Sequence, residues 1–403
     1  LDAASYEQGG DLALSAKSTD FLGTEIMSRD LWDDYRYTFS SRHMYNSLHE
    51  TYNTPIFGLV YSSSIFNNAL IGWAMNNMLA QVTWSLAFNG SEKLNVYTGW
   101  EENMNNFSAK PFADIAIVFS RKTRDWSLKN KSTYPSEIMG TSQFLIDQHI
   151  QHTFVLDDAL LNQDLSRFRV LLAPGIDCLS DEQVTKLKQY VTNGGTLFIT
   201  GDAGKLTSYG EPRPIWAFAD ILGNDALTKS QNTDVVEANF GKGRVVYCAK
   251  RYGINDFCNS FTVENTYKFT PDEKQTALHG KVMRQVLGNS LSFEAVSMPQ
   301  KVLTSVYNEL RDGKKLTLVH FLNATGVKVK NGDVLPLPNS KWEEIKNDMS
   351  FEISLPSISE SYYATPDSPG HKPVRVEKIS EGRYKVVVPK GTVDKYGIVY
   401  LCQ

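Results

Sequence analysis

Cysteine is scarce in this chain and falls into no chemical pattern. Cys178, Cys248, Cys258 and Cys402 are the four among 403 residues, with no CxxC pair and no Cys/His spacing suited to a metal. They read as free buried thiols, with a Cys248–Cys258 bridge as the alternative. Basic clusters are missing as well. A net charge of -4 without a Lys/Arg run argues against a nucleic-acid surface. No apolar run approaches the roughly 18 residues that a membrane-spanning helix needs. Neither a metal nor an organic cofactor is expected. The opening segment lacks the basic and apolar regions of a signal peptide. Leu1 stands where an initiator Met would, so the chain looks processed, trimmed or cut from something longer. Location stays open, with a periplasmic or secreted protein favoured slightly over a cytoplasmic one.

What is present suffices for packed cores. Hydrophobic residues make up 41% and aromatics 11% of the chain, and its length calls for two or three domains. The most informative stretch is Tyr190 to Asp202. It predicts a helix end, a turn at Gly194-Gly195 that uses positive φ, and a buried strand Thr196 to Thr200. The helix before it opens at Ser180, with Asp181 and Glu182 in its first turn and Val184, Leu187, Tyr190 and Val191 on one face. The preceding run Val170 to Ala173 is wholly apolar, as a strand covered on both faces should be. This is a β-α-β unit of a parallel, doubly wound sheet.

Around that unit three segments differ in pattern. In the middle one, Asp114 to Ser120 reads as a buried strand, Arg121 to Ser132 as a polar loop, Ser136 to His149 as a helix, and Phe154 to Leu156 as a strand. Beyond Asp202 come an apolar helix, Ile215 to Leu222, and a hairpin around Gly241-Lys242-Gly243 between Val235–Phe240 and Arg244–Cys248. A helix near Asp272 to Leu287 closes this part, whose order suits a flavodoxin-like or Rossmann-like sandwich. From about Leu291 the chain turns all-β, with alternating runs at Val302–Tyr307, Leu316–Leu322, Phe351–Leu355, Val374–Ile379 and Tyr384–Val388. The first part reads β-α-β-α-β: strand Thr19–Ile26, helix Arg42–Tyr52, strand Ile56–Tyr61, helix Leu70–Phe88, strand Leu94–Gly99. Three such strands alone would leave an apolar face uncovered.

In the order of these parts the chain resembles the C-terminal region of family 42 glycoside hydrolases. The residues that carry the likeness are Val170-Leu171-Leu172-Ala173-Pro174-Gly175, Leu179-Ser180-Asp181-Glu182, Tyr190 to Leu197, and Phe240-Gly241-Lys242-Gly243-Arg244-Val245-Val246-Tyr247. Val319 to Thr325 resembles the sandwich strand that follows in those proteins. The resemblance implies an α/β chain in three parts: residues 1–110 as the last steps of a (β/α)8 barrel, 111–290 as a β-galactosidase trimerisation domain with a class I glutamine amidotransferase-like fold, and 291–403 as a small β-sandwich. It also implies hydrolysis of O-glycosidic bonds in a galactoside-like or plant or host glycan, and a homo-oligomer, trimer or dimer. The alternative is a non-catalytic carbohydrate-binding or assembly module with an incomplete barrel.

Barrel sites lie at the C-terminal ends of strands, which draws attention to Glu25 as the catalytic carboxylate. Trp32, Tyr61, Trp100, Glu101 and Glu102 are the expected sugar contacts. Such glycosidases use two carboxylates, about 5–5.5 Å apart when configuration is retained. The resemblance places one of them upstream of Leu1. The strand Ile56–Tyr61, where the other is expected, ends in Ser62-Ser63-Ser64 without an acid. Either Glu25 serves, or the strand count is off by one, or the chemistry differs. The plainer role for Glu25 is an ion pair with Arg29, Arg36 or Arg42. Cys178 stands without the flanking glycines of a nucleophile elbow, and His279 has no His-x-Glu context, so amidotransferase chemistry is not expected. Gly241-Lys242-Gly243 lies between strands, not between strand and helix as a P-loop must. Gly201-Asp202-Ala203-Gly204 lacks the GxGxxG of a nucleotide site.

Overall fold

The computed structural model describes residues 10–26, 35–60, 66–85, 97, 99–100, 109–130, 133–227, 235–257, 271–289, 291–324 and 343–403. The first part runs α1 (Leu12–Ser18), β1 (Leu22–Ile26), α2 (Tyr35–Tyr52), β2 (Ile56–Val60), α3 (Phe66–Met78) and β3 (Val82–Ser85). The strands form a parallel sheet in the order β1-β2-β3. The predicted alternation is present, but its third strand is misplaced. The run expected as one helix, Leu70 to Phe88, breaks after Met78: Ala80 takes φ +52°, Gln81 N–H bonds back to the Asn76 carbonyl at 2.8 Å, and Val82 starts β3. Length and apolarity cannot separate helix from strand in such a run. Of the expected strand Leu94–Gly99, only Tyr97 and Gly99 are described, and they and Trp100 are helical.

A buried polar cluster joins helices to strands here. Arg42 Nη1 donates to Asn76 Oδ1 at 3.0 Å and to Gln81 Oε1 at 3.1 Å, and Asn76 Nδ2 donates to the Gly58 carbonyl at 2.9 Å. An added Cβ at Gly58 would stand 1.9 Å from Asn76 Oδ1, so this strand position is held open for the asparagine.

The middle part contains β4 (Lys110–Pro111), β5 (Ile115–Phe119), α4 (Arg121–Asn130), α5 (Tyr134–Asp147), β6 (His152–Leu156), α6 (Asp157–Asn162), β7 (Val170–Ala173), α7 (Asp181–Thr192), β8 (Thr196–Thr200), α8 (Ala219–Leu222), β9 (Val236–Phe240), β10 (Gly243–Cys248), α9 (Gly253–Asp256) and α10 (Glu273–Leu287). Its sheet has the order β6-β5-β7-β8-β10-β9, parallel except for the β9/β10 hairpin. Strands β5, β6 and β7 are buried along their whole length, which explains their unbroken apolar runs. A capping box starts α7: Ser180 Oγ accepts from Gln183 N–H at 3.2 Å, and Ser180 N–H donates to Gln183 Oε1 at 2.9 Å. The glycine turn divides its labour. Gly194 alone has positive φ, at +118°, whereas Gly195 is small because an added Cβ would lie 2.1 Å from the Tyr190 ring.

Two elements differ from expectation. The segment expected as a polar loop is helix α4. Ser120 Oγ accepts from Thr123 N–H at 3.1 Å, and Thr123 and Arg124 are buried in its inner face. Its lysines and arginines hide an amphipathic pattern that tertiary partners complete. Of the expected helix Ile215–Leu222 only α8 forms.

The last part holds β11 (Phe293–Ser297), β12 (Val302–Arg311), β13 (Lys314–Asn323), β14 (Met349–Ser354), β15 (Glu360–Thr365), β16 (Ser368–Pro373), β17 (Arg375–Ser380), β18 (Arg383–Val388) and β19 (Tyr396–Cys402). They form two sheets, β11-β14-β18-β17 and β16-β15-β19-β13-β12-β4. Phe293, Phe351, Ile353 and Val386 of one sheet meet Val306, Val319, Phe321 and Val399 of the other in a shared core, the packing of a sandwich. Lys110 and Pro111 pair with β12 at its edge. Trp73 and Met75 of α3 share a core with Leu303, Leu316, Tyr396 and Ile398, and Met44, Leu48 and Ile56 share one with the doubly wound sheet.

Candidate functional site

Chemistry was expected at the strand ends of the first sheet; the carboxyl edge of the doubly wound sheet is the other place where a ligand of this fold would bind. At the first, Glu25 is the penultimate residue of β1 and pairs in register with Leu59, which pairs with Trp84. Trp32, Tyr61, Glu101 and Glu102 lie outside the described residues, as does Arg29. Trp100 is half-buried, its ring centroid 6.2 Å from that of Trp73 and 6.1 Å from that of Tyr396. It sits where α3 meets the sandwich strand β19. Of the arginines weighed against Glu25, Arg36 pairs with Asp147 at 2.6 Å, and Arg42 is spent on the polar cluster above. On one face of the sheet Trp84 is 56% exposed and Phe21, which precedes β1, 58%, while Leu59 between them is buried.

At the second place, the strand order reverses between β5 and β7, and a ligand of a doubly wound fold would bind in the crevice past those strand ends. Beside it, past the ends of β5 and β6, α1 acts as a plug. Arg121 pairs with the Asp11 carboxylate, Arg124 Nη1 donates to the Gly10 carbonyl at 2.6 Å, and Leu12 and Ala13 of α1 pack into the core. The space left between α1 and the ends of β5 and β6 is about 10 Å³, too little for a ligand. Asp157 Oδ2 accepts the Arg121 N–H at 2.9 Å, and burial holds its carboxyl above the ordinary range against the pull of Arg121.

Cys178 follows β7 and is 1% exposed. Its N–H donates to Thr123 Oγ1 at 3.0 Å, and burial, with Asp177 adding to it, pushes the thiol up to about 11. A thiol so placed supplies no thiolate near neutral pH. His279 is instead bound to Asp256, Nδ1 to Oδ2 at 2.8 Å, and its ring lies 4.1 Å from Phe144 and 5.7 Å from Tyr252. That arrangement pins α10 onto α5 and α9.

Sequence reasoning missed the most perturbed carboxylate. Glu137 of α5 is buried, accepting from Ile254 N–H at 3.0 Å and Thr200 Oγ1 at 3.2 Å. Burial lifts it to about 7, opposed by the Ile254 bond and by Arg251. Arg251 itself donates to Asp177 at 2.8 Å, both largely buried. No spacing in the sequence announces these pairs, because the partners stand on different strands and helices. Among the described residues no group of three or more His, Cys, Asp or Glu is placed to hold a metal, and no helix is long and apolar enough to cross a membrane.

Known proteins resemble this arrangement. No curated protein matches the chain. Among solved structures, a β-galactosidase from Rahnella sp. R3 superposes with TM-score 0.62 at 11% identity, over 98% of this chain and 62% of that one. The α-L-fucosidase isoenzyme 2 of Paenibacillus thiaminolyticus gives 0.61 at 14% identity, over 95% and 65%. The GH42 β-galactosidase Gan42B from G. stearothermophilus gives 0.57 at 11%, over 98% and 61%. At these identities the likeness is one of mixed α/β fold, and the chain spans just over three fifths of those proteins. Residues 113–213 match the family model of the β-galactosidase trimerisation domain, and through that domain and its fold the chain is similar to a region of the GH42 β-galactosidases.

Proposed function

We propose that the chain is the C-terminal portion of a glycoside hydrolase-like protein, with residues 1–110 closing a (β/α)8 barrel, 111–290 forming a trimerisation domain and 291–403 a β-sandwich. The observation that carries this reading is the parallel sheet β1-β2-β3. Helices α2 and α3 cover one side, and on the other Phe21 and Trp84 are exposed while Leu59 between them is buried. Parallel sheets are covered on both faces, and a closed barrel is the arrangement in which that face becomes interior. The family match over residues 113–213 supports the middle assignment.

On this reading Glu25, at the carboxyl end of β1, is the catalytic carboxylate, and Trp32, Tyr61, Trp100, Glu101 and Glu102 contact a galactoside-like or plant or host glycan. A second acid comes from barrel strands beyond this chain. The doubly wound domain, with α1 packed over the ends of β5 and β6, serves assembly into a homo-oligomer. Glu25→Gln in the full-length gene product should lower aryl-galactoside turnover by about 10²–10⁴-fold, the range for loss of a positioned acid or base. Unchanged turnover removes Glu25 from the mechanism.

The packing of α1 over the ends of β5 and β6, with about 10 Å³ left between them, also favours a second reading, a non-catalytic carbohydrate-binding or assembly module. Oligosaccharide binding by calorimetry without hydrolysis in the full-length protein would select it.

A further inference from the structure

An open cleft of about 620 Å³ lies on the outer side of the α1 plug, walled by Arg121, Lys122 and Trp126 of α4 and by the turn Ser208-Tyr209-Gly210. Tyr209 is 83% exposed, the most exposed of the large hydrophobic side chains there. Exposure of this kind in a floppy loop would mean little, but the turn is tied down. Thr207 N–H donates to the Glu211 carbonyl at 2.8 Å, Gly210 N–H to the Thr207 carbonyl at 3.0 Å, and Thr207 Oγ1 accepts from Tyr209 and Glu211 N–H, each at 3.3 Å. Gly210 has φ +79°, and an added Cβ there would stand 2.3 Å from the Trp126 ring. The half-buried indole is therefore seated on the glycine, next to the tyrosine that the turn presents.

Two aromatic side chains brought to one cleft by a hydrogen-bonded turn suit a ligand with apolar faces. Most of the cleft's charges are paired, Arg121 with Asp11 and Asp125 with Arg124 at 2.6 Å. Lys122 keeps its charge, with Nζ 5.5 Å from the Tyr209 ring centroid, so the lining carries a single excess cation and not the basic cluster that a polyanion needs. Carboxylate and guanidinium edges beside aromatic faces offer what a sugar ring needs: acceptors and donors for its hydroxyls, and a surface for its C–H face.

We propose that this cleft is a binding site for an uncharged pyranose oligosaccharide, with Tyr209 and Trp126 as its stacking residues. The site stands on the cleft geometry; the choice of saccharide among neutral ring ligands rests on the glycoside hydrolase-like reading.

Calorimetry of the full-length protein with β-1,4-galactotetraose and with cellotetraose tests it. At least one should bind, Tyr209→Ala should weaken that binding by about tenfold, the upper end of a single stacking contact, and Tyr209→Phe should restore it. Because the Tyr209 side chain is largely free of the fold, Tyr209→Ala should leave thermal unfolding and aryl-galactoside turnover unchanged. Binding that responds to Tyr209 in a protein without turnover keeps this site and discards the glycosidase reading. The proposal is overturned if neither tetrasaccharide binds at millimolar concentration, if Tyr209→Ala binds as the wild type does, or if only a polyuronate binds.

Discussion

Glu137 offers a thermodynamic readout of how the doubly wound sheet is closed at its carboxyl edge. Its carboxylate sits at the start of α9, accepting from Ile254 N–H at 3.0 Å and Thr200 Oγ1 at 3.2 Å, and burial raises it from 4.5 to about 7. In the unfolded chain the same group ionises near its ordinary value. Between those two values the unfolded state has released its proton while the folded state retains it, so rising pH favours unfolding. Below the unfolded value both states are protonated; above about 7 both are charged and the slope ends. At about 1.4 kcal/mol for each pH unit, the loss between the limits is roughly 3 kcal/mol. Glu137→Gln removes the titration and keeps a carbonyl oxygen for the Ile254 bond. Urea unfolding of both proteins from about pH 4 to about pH 8 should show the variant gaining on the wild type by roughly 3 kcal/mol. A stability difference that stays flat across that window would refute the buried, proton-retaining state of Glu137.

Other outcomes are expected from single contacts. Cys178, pushed up to about 11 and 1% exposed, should resist iodoacetamide in the native protein near neutral pH and react after unfolding; native labelling, located by peptide mass, would contradict the assigned packing. Asp177→Ala strands the Arg251 guanidinium, now paired at 2.8 Å, and should cost about 3 kcal/mol in chemical denaturation, as breaking a buried pair does. Ser180→Ala removes one arm of the α7 capping box and should cost about 1 kcal/mol by the same measurement. Gly195→Ala meets the Tyr190 ring and should cost about 1–3 kcal/mol of overpacking, more than the cap although the change is smaller.

The elements that local chemistry specifies were legible in the sequence. Strands β5, β7 and β8 are short apolar runs buried on both faces, and α7 carries its own start signal at Ser180 and its own stop at Gly194. The β9/β10 hairpin turns on Gly241-Lys242-Gly243. Each signal lies within a few residues of the structure it produces, so one strand of sequence suffices to read it. The central sandwich strand β19 had no counterpart among the predicted strands because it is buried throughout and shows no alternation to detect. Helix α4 was hidden for the opposite reason. Its charges look solvated until Asp11 and the Gly10 carbonyl, more than 100 residues away in sequence, are found against Arg121 and Arg124.

The candidate sites divide along the same line. By itself the sequence determined the doubly wound sheet, the lack of a nucleophile elbow at Cys178, and Glu25 near the end of a strand, because strand ends and glycine turns are local features. Only the tertiary structure decided that α1 packs over the ends of β5 and β6, that His279 belongs to Asp256, and that Tyr209 and Trp126 share a cleft. Those are pairings between distant segments. They depend on which surfaces packing brings together, and no spacing along the chain records that choice.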